Sequence, residues 1–305
     1  YNVPSDHPEG HVDSQVIGMA IAQGRVWVAE SRGLLSDRPS VISSFVPDPE
    51  RCGNLLDFND PGALGRQALQ YCGEGQTPEQ DGCMERRVLD SLPGNTKVAH
   101  LAADPADGSI WFTDARGRIL GHIRSDAGAE VEVFEFDDVH SDPFNGQPRF
   151  GGFPWTLRVD QGAVYIGEYA TRHLLRFDKS RRTFSEVHVP CCNSEINLHS
   201  IELDSARQRL WFTLSDESRD PLQPGTSTIG YVDTESWRAH IEEPDLASPV
   251  EGVVYRGLDS LPEADEEPVP HPAFRGIAVD PESGRIALAT MWRNQVTLLT
   301  PRSGF

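Results

Sequence analysis

No apolar run in this 305-residue chain reaches the roughly 18–20 residues that a membrane-spanning helix needs, so no helical span is expected within it. Several catalytic signatures are also missing. There is no P-loop, no H-E-x-x-H, no Rossmann fingerprint and no nucleophile elbow to name a reaction. Positive charge is scarce: 27 Lys and Arg face 47 Asp and Glu, a formal net charge of −20. Such a field repels nucleic-acid phosphates and anionic membranes, which argues against both as partners and leaves a small-molecule or peptide-like substrate. It also serves plain solubility. Cysteine is limited to five residues, with no C-x-x-C zinc pairing and no haem-attachment motif. Three of them, Cys52, Cys72 and Cys83, fall in a long segment at 47–87, and Cys191 and Cys192 are adjacent in a later loop. Loop cysteines of this kind read as disulfide staples, with at least one bond expected within the first three, and they fit a secreted or periplasmic compartment. An odd total leaves one thiol free or bonded to another chain. The opening at Tyr1 without Met fits a processed N-terminus and equally a trimmed chain.

What the chain does have is repetition. The segment SIWFTDARGRILGHI at 109–123 is echoed by RLWFTLS at 209–215, and each follows an alternating apolar run that ends in Asp. WTLRVDQGAVYIGE (155–168) and RGIAVDPESGRIALAT (275–290) fit the same frame, as does GMAIAQGRVWVAE (18–30), with Ala22 in place of the Asp. Short period-2 runs broken by Asp, Gly or Ser are strand–turn–strand signals. Third strands follow at 40–46, 118–124, 173–178, 228–233 and 295–301, and fourth strands are expected at 86–95, 131–139, 184–190 and 253–264. Five units of about fifty residues, each of four antiparallel strands, predict an all-β fold. The expected architecture is a single β-propeller over 1–305, most simply of five blades, with 47–87 as a Cys-containing insertion in the first blade. Six or seven blades, or an open sandwich, fit the repeat less well. The fifth unit ends after its third strand, so Tyr1–Pro4 is expected to complete it and close the ring by joining the two termini. The insertion also carries a short helical pattern in DPGALGRQALQYC.

In such a fold the first strand of each blade lines the channel, and one rim gathers loops from every blade. Counting back five positions from the Asp that ends each first strand gives Ile17, Ala99, Trp155, His199 and Arg275. Four positions back stand Gly18, His100, Thr156, Ser200 and Gly276. The end of the second strand gives Glu30, Asp114, Glu168, Ser215 and Thr290, with Arg32, Arg116, Arg172 and Arg293 shortly after in four of these loops. A purely structural ring needs only small or apolar residues there. His100, His199 and Glu168 are therefore candidate ligands for a divalent metal, or an acid–base set, because imidazole titrates near neutrality and binds metals through its neutral nitrogen. Arg275 is placed to meet developing negative charge, and Trp155, Glu30, Asp114 and Arg172 to bind substrate. The plainer reading is that the carboxylates cap loops or pair with the nearby Arg and that the histidines bond to backbone. Trp27, Trp111 and Trp211, on the second strands, read as packing.

The repeat I-x-x-D-x-x-D/G-G-x-I/L-W-F-T-D/E, followed by I-L/I-G-x-I/V, resembles that of the streptogramin lyases, the virginiamycin B lyase family, over about two thirds of the chain. The resemblance implies a propeller, of seven blades in that family, that opens a cyclic depsipeptide by magnesium-assisted elimination. The family's functional histidines stand where a blade begins P-H-G-I. Here His199, in LHSI, holds that slot without the Pro or the Gly, while Arg275 and Trp155 bring other chemistry to it. The expected function is a secreted, monomeric propeller enzyme of lyase or hydrolase type that works at the central channel mouth with a divalent metal. The alternative is a non-catalytic propeller that binds a ligand or protein through its rim.

Overall fold

The alternation of each repeat becomes a meander of antiparallel strands. The computed structural model describes residues 15–31, 40–45, 84–88, 96–116, 118–124, 131–136, 153–169, 173–189, 196–216, 227–241, 273–291 and 295–299. Among them there is no helix, and every regular element is a strand. The chain divides into two compact units, Tyr1–Phe136 and Asp137–Phe305. In the first, one sheet comprises β1 (Gln15–Ala22), β2 (Arg25–Ser31), β3 (Val41–Phe45) and β4 (Met84–Val88). Its second sheet comprises β5 (Val98–Ala103), β6 (Ile110–Asp114), β7 (Ile119–Ile123) and β8 (Val131–Glu135).

The second unit holds three sheets. The first runs through β9 (Phe153–Val159), β10 (Ala163–Tyr169), β11 (His173–Asp178) and β12 (Thr183–His188). The next runs through β13 (Ile196–Asp204), β14 (Arg209–Asp216), β15 (Ser227–Asp233) and β16 (Arg238–Ile241). The last, three-stranded among the described residues, has β17 (Ala273–Val279), β18 (Ile286–Met291) and β19 (Gln295–Leu299). Tyr1–Pro4, the 253–264 segment and most of the 47–87 insertion lie outside the described residues.

The repeat's Asp has a local task. Asp104 accepts from the Ala106 amide (2.9 Å) and from Trp111 Nε1 (3.1 Å), which fixes the β5–β6 turn and satisfies the buried indole. Asp160 does the same for β9–β10, taking the Gly162 and Ala163 amides (both 2.7 Å) and the Tyr165 hydroxyl (2.9 Å). An Asp side chain that closes a turn on the amides two residues on is the reason the residue recurs. The first repeat manages without it. Gln23 and Gly24 both have positive φ, 49° and 71°, the geometry of a two-residue turn that follows the strand twist unaided, so Ala22 suffices.

One strand differs from expectation. The fourth strand of the fourth repeat is β16, directly after β15, and not 253–264. Asp233 takes the Glu235 (3.1 Å) and Ser236 (2.7 Å) amides, and Trp237 at φ 51° donates to Asp233 O at 2.7 Å. That capped turn reverses the chain at once.

The second strands β6 and β10 are covered on both faces. All five residues of β6 are buried, with Trp111 and Phe112 on opposite sides, whereas no residue of β12 is more than half-buried. Within the first unit Trp27, Ile42, Leu101, Phe112 and Ile123 join both sheets in one core. In the second, Tyr165, Leu174, Leu198, Ile201 and Phe212 join its first two sheets, and Trp211, Phe274, Ile277 and Leu288 its last two. Gly167 makes the first of these seams possible: a Cβ there would stand 2.4 Å from Leu198 Cδ2 and 2.8 Å from Thr156 Cγ2.

Candidate functional site

Every first strand is broken at the same place. The ladder skips one residue between Val16 and Gly18, between Val98 and His100, opposite Gly167/Glu168, between Leu198 and Ser200, and between Phe274 and Gly276. The skipped residues are Ile17, Ala99, Trp155, His199 and Arg275, the set found by counting back five from the Asp. A β-bulge leaves its extra residue out of the ladder and re-aims its side chain, and bulges are over-represented beside active sites. The fold thus fixes where this side chain sits and leaves its chemistry open.

In the second unit the bulges gather a cluster. The Trp155 and Tyr169 rings lie 5.8 Å apart between centroids, and Tyr169 meets His199 edge to face at 5.3 Å. Asn197 Nδ2 donates to the Tyr169 hydroxyl at 3.3 Å. Trp155, Tyr169 and Asn197 are half-buried, and His199 is 4% exposed. Arg275 holds the bulge of β17, the next first strand; its side chain is outside the described residues. Tyr169 and Asn197 were not singled out in the sequence. Both sit next to quoted motifs, Tyr169 directly after Glu168 and Asn197 two residues before His199, so repeat position held the signal.

The other expected residues are placed as follows. Glu168 is buried at the end of β10, opposite Pro154. Gly167 faces Leu198 and Tyr169 faces His199, so strand alternation turns Glu168 to the opposite face, away from the imidazole. Asp114 is fully buried and its Oδ1 accepts from the Lys97 (2.7 Å) and Arg116 (2.9 Å) amides, a loop-capping geometry. The register makes Leu214, not Ser215, the equivalent of Asp114; Ser215, one position on, accepts on Oγ from the Phe274 amide (2.9 Å), tying β14 to β17. His100 belongs to the first unit and is a ladder residue paired with Thr113, one position past the bulge, so it is not the structural equivalent of His199. Glu30 is the penultimate residue of β2, with its side chain outside the described residues; Arg172 and all five cysteines lie outside them altogether. Among the described residues no group of three or more His, Cys, Asp and Glu side chains is arranged to hold a metal ion.

No family model and no curated protein matches the sequence. Solved structures do. The WD40 repeats of RRP9 match at a TM-score of 0.51 and 13% identity, over 98% of this chain and 69% of that one. WD40 repeats are propeller blades. The fold is a β-propeller. A candidate 6-phosphogluconolactonase from Bacteroides uniformis matches at a TM-score of 0.51 and 13% identity, over 93% of this chain and 66% of that one. The extracellular domain of a candidate hybrid two-component system from B. thetaiotaomicron matches at 0.50 and 13% identity; it covers 96% of this propeller, which spans 28% of that protein's length. Such neighbours include enzymes and non-enzymatic extracellular domains. None names the streptogramin lyases, and that resemblance rests on the repeat residues.

Proposed function

We propose that this propeller binds a small, peptide-like substrate at the bulge row of its second unit and acts on it as a lyase or hydrolase. The observation that carries the proposal is the shared bulge, which presents Trp155, His199 and Arg275 on three successive first strands where a structural role asks for no such chemistry. Trp155 and Tyr169 give an aromatic wall for an apolar part of the substrate. His199 is the proton-transfer group, since imidazole exchanges protons near neutral pH. Arg275 brings positive charge to the third bulge, suited to an oxyanion. The divalent metal expected on His100, His199 and Glu168 is left out of this reading, since no group of three or more metal-ligating side chains is found among the described residues. The net charge of −20 and the loop cysteines support a secreted or periplasmic setting.

The near-complete burial of His199 favours a second reading, in which the row recognises a ligand without transforming it. One experiment separates the two. The protein is incubated with a panel of cyclic and linear depsipeptides and lactones, with turnover followed by mass spectrometry and binding by Trp fluorescence. Turnover that His199→Ala abolishes, with circular dichroism unchanged, supports the enzyme. Saturable binding that Trp155→Ala weakens, without turnover, supports the binding propeller. Activity untouched by His199→Ala overturns the site.

A further inference from the structure

The outer strands of the sheet β9–β12 hold a cluster that the bulge row does not use. β12 is the edge strand of that sheet and pairs with β11. In their antiparallel ladder His173 stands directly opposite His188, and Glu186, two residues before His188, shares their face. His173 Nδ1 lies 2.8 Å from Glu186 Oε2, and His173 Nε2 lies 2.9 Å from His188 Nδ1, a head-on hydrogen bond between two imidazoles. The rings meet edge to face at 81°; His173 is 2% exposed and His188 is half-buried. The next sheet packs on the opposite face, through Leu174 and Val187, so the pair is turned away from it. On the pair's own face, among the described residues of the sheet, the other titratable groups are Glu186 and Glu168, and Leu157, Ile166, Leu175 and Phe177 are apolar.

Proton counting decides what this cluster does. A carboxylate only accepts, so Glu186 holds a proton on His173 Nδ1, and the 2.9 Å between His173 Nε2 and His188 Nδ1 has room for one proton. With both rings neutral, His188 Nδ1–H donates to His173 Nε2. One added proton goes to His188 Nε2 and leaves that contact in place. A second added proton sets N–H against N–H and breaks it. Glu186 and Glu168 offset added charge, but no carboxylate lets two N–H groups meet head-on. We propose that the His173–His188 pair is a pH-operated latch: it holds β12 on β11 while it carries at most one added proton, and acidification releases the strand. The far end of β12 keeps its Phe184–Phe177 contact, 4.8 Å between centroids, so release begins at His188. In the open chain each imidazole takes its proton at the ordinary histidine value, about pH 6.5. Below that pH the latched state binds one proton fewer than the open one, so its stability declines as pH falls. A one-proton difference changes the opening constant by up to about tenfold per pH unit.

The test uses the full chain and hydrogen–deuterium exchange from about pH 7.5 to about pH 5, above the ordinary Glu value of about 4.3. Protection, corrected for the intrinsic exchange rate at each pH, is read on a β12 peptide with a β14 peptide as reference. Below about pH 6.5, β12 protection is expected to fall by up to about tenfold per pH unit, while β14 protection and the circular dichroism spectrum hold. His188→Gln, at a half-buried site, supplies an amide that donates to neutral His173 or accepts from charged His173 and takes up no proton itself. Its β12 protection is expected to stay level across the range, and urea unfolding of the two proteins is expected to differ in pH dependence by the same one proton. His199→Ala keeps the wild-type profile, so failure here is distinct from failure of the bulge-row reading. The wild-type profile decides even without the variant: β12 protection that stays level as pH falls overturns the latch. So does a His188→Gln protein that keeps the wild-type pH dependence.

Discussion

Tyr165→Phe deletes one oxygen and tests how the repeat's Asp works. That hydroxyl donates to Asp160 Oδ2 at 2.9 Å, while Oδ1 is held separately by the Gly162 and Ala163 amides. The ring stays, with its contact to Trp237 at 5.8 Å between centroids. A hydrogen bond to a charged group contributes about 1.5–3 kcal/mol, and half-buried Asp160 can take water instead, so the expected loss at pH 7 is about 1.5 kcal/mol. The pH dependence is the sharper reading. Burial, then the charge of Asp160 and its hydrogen bond, push the Tyr165 pKa from 10.0 up to about 12, against the pull of Arg176. The protonated phenol is thus favoured by folding. Its stabilisation is whole below pH 10 and fades as pH climbs towards 12 and beyond. Urea unfolding of both proteins from pH 7 to 12 therefore shows a stability difference that is constant to about pH 10 and then narrows. Equal stability at pH 7, or a difference that never narrows, refutes the reasoning.

Gly121→Ala drives a Cβ to within 2.0 Å of the Phe112 ring, which is fully buried, so an overpacking loss of about 1–3 kcal/mol or more is expected in thermal unfolding. Asp104→Ala removes a turn cap and leaves the buried Trp111 indole N–H without its acceptor; urea unfolding is expected to show a loss of about 2–4 kcal/mol. Arg207→Ala breaks a bridge from Asp204 (3.1 Å) to Glu282 O (3.3 Å), but on an exposed arginine, and about 1 kcal/mol or less is expected from the same assay.

The repeat made most of the sheet order legible because period-2 alternation and a turn-capping Asp are local signals. The fourth strand of the fourth repeat was not, since RAHI has too few apolar residues to stand out and a capped turn, not a hydrophobic run, places it. The bulge row was legible as a set of positions, Ile17, Ala99, Trp155, His199 and Arg275, because a repeat keeps its irregularities as faithfully as its strands. Facing direction was not legible. Glu168 and Tyr169 are neighbours in sequence, and alternation sends one to the imidazole and the other away from it. Likewise His173 and His188 lie fifteen residues apart, and only the β11–β12 register sets them opposite.

The rigidity of the seam beneath the bulges gives the last prediction. Gly167 lies between the two strands that carry Trp155 and His199: its missing Cβ would stand 2.4 Å from Leu198, the residue before His199, and 2.8 Å from Thr156, the residue after Trp155. Ile201, at 3.2 Å, closes the space from the third side. Gly167→Ala must therefore push β9 and β13 apart or force rotamers, at a cost of about 1–3 kcal/mol. Gly121→Ala costs a similar amount, but in the other unit. If the bulge row is a site preorganised by close packing, Gly167→Ala impairs binding or turnover in the depsipeptide and lactone panel well beyond the effect of Gly121→Ala, although neither touches a ligand. Matched variants that lose stability alike and function alike would show that the seam has no special hold on the row, and that the aromatic cluster is packing rather than a site.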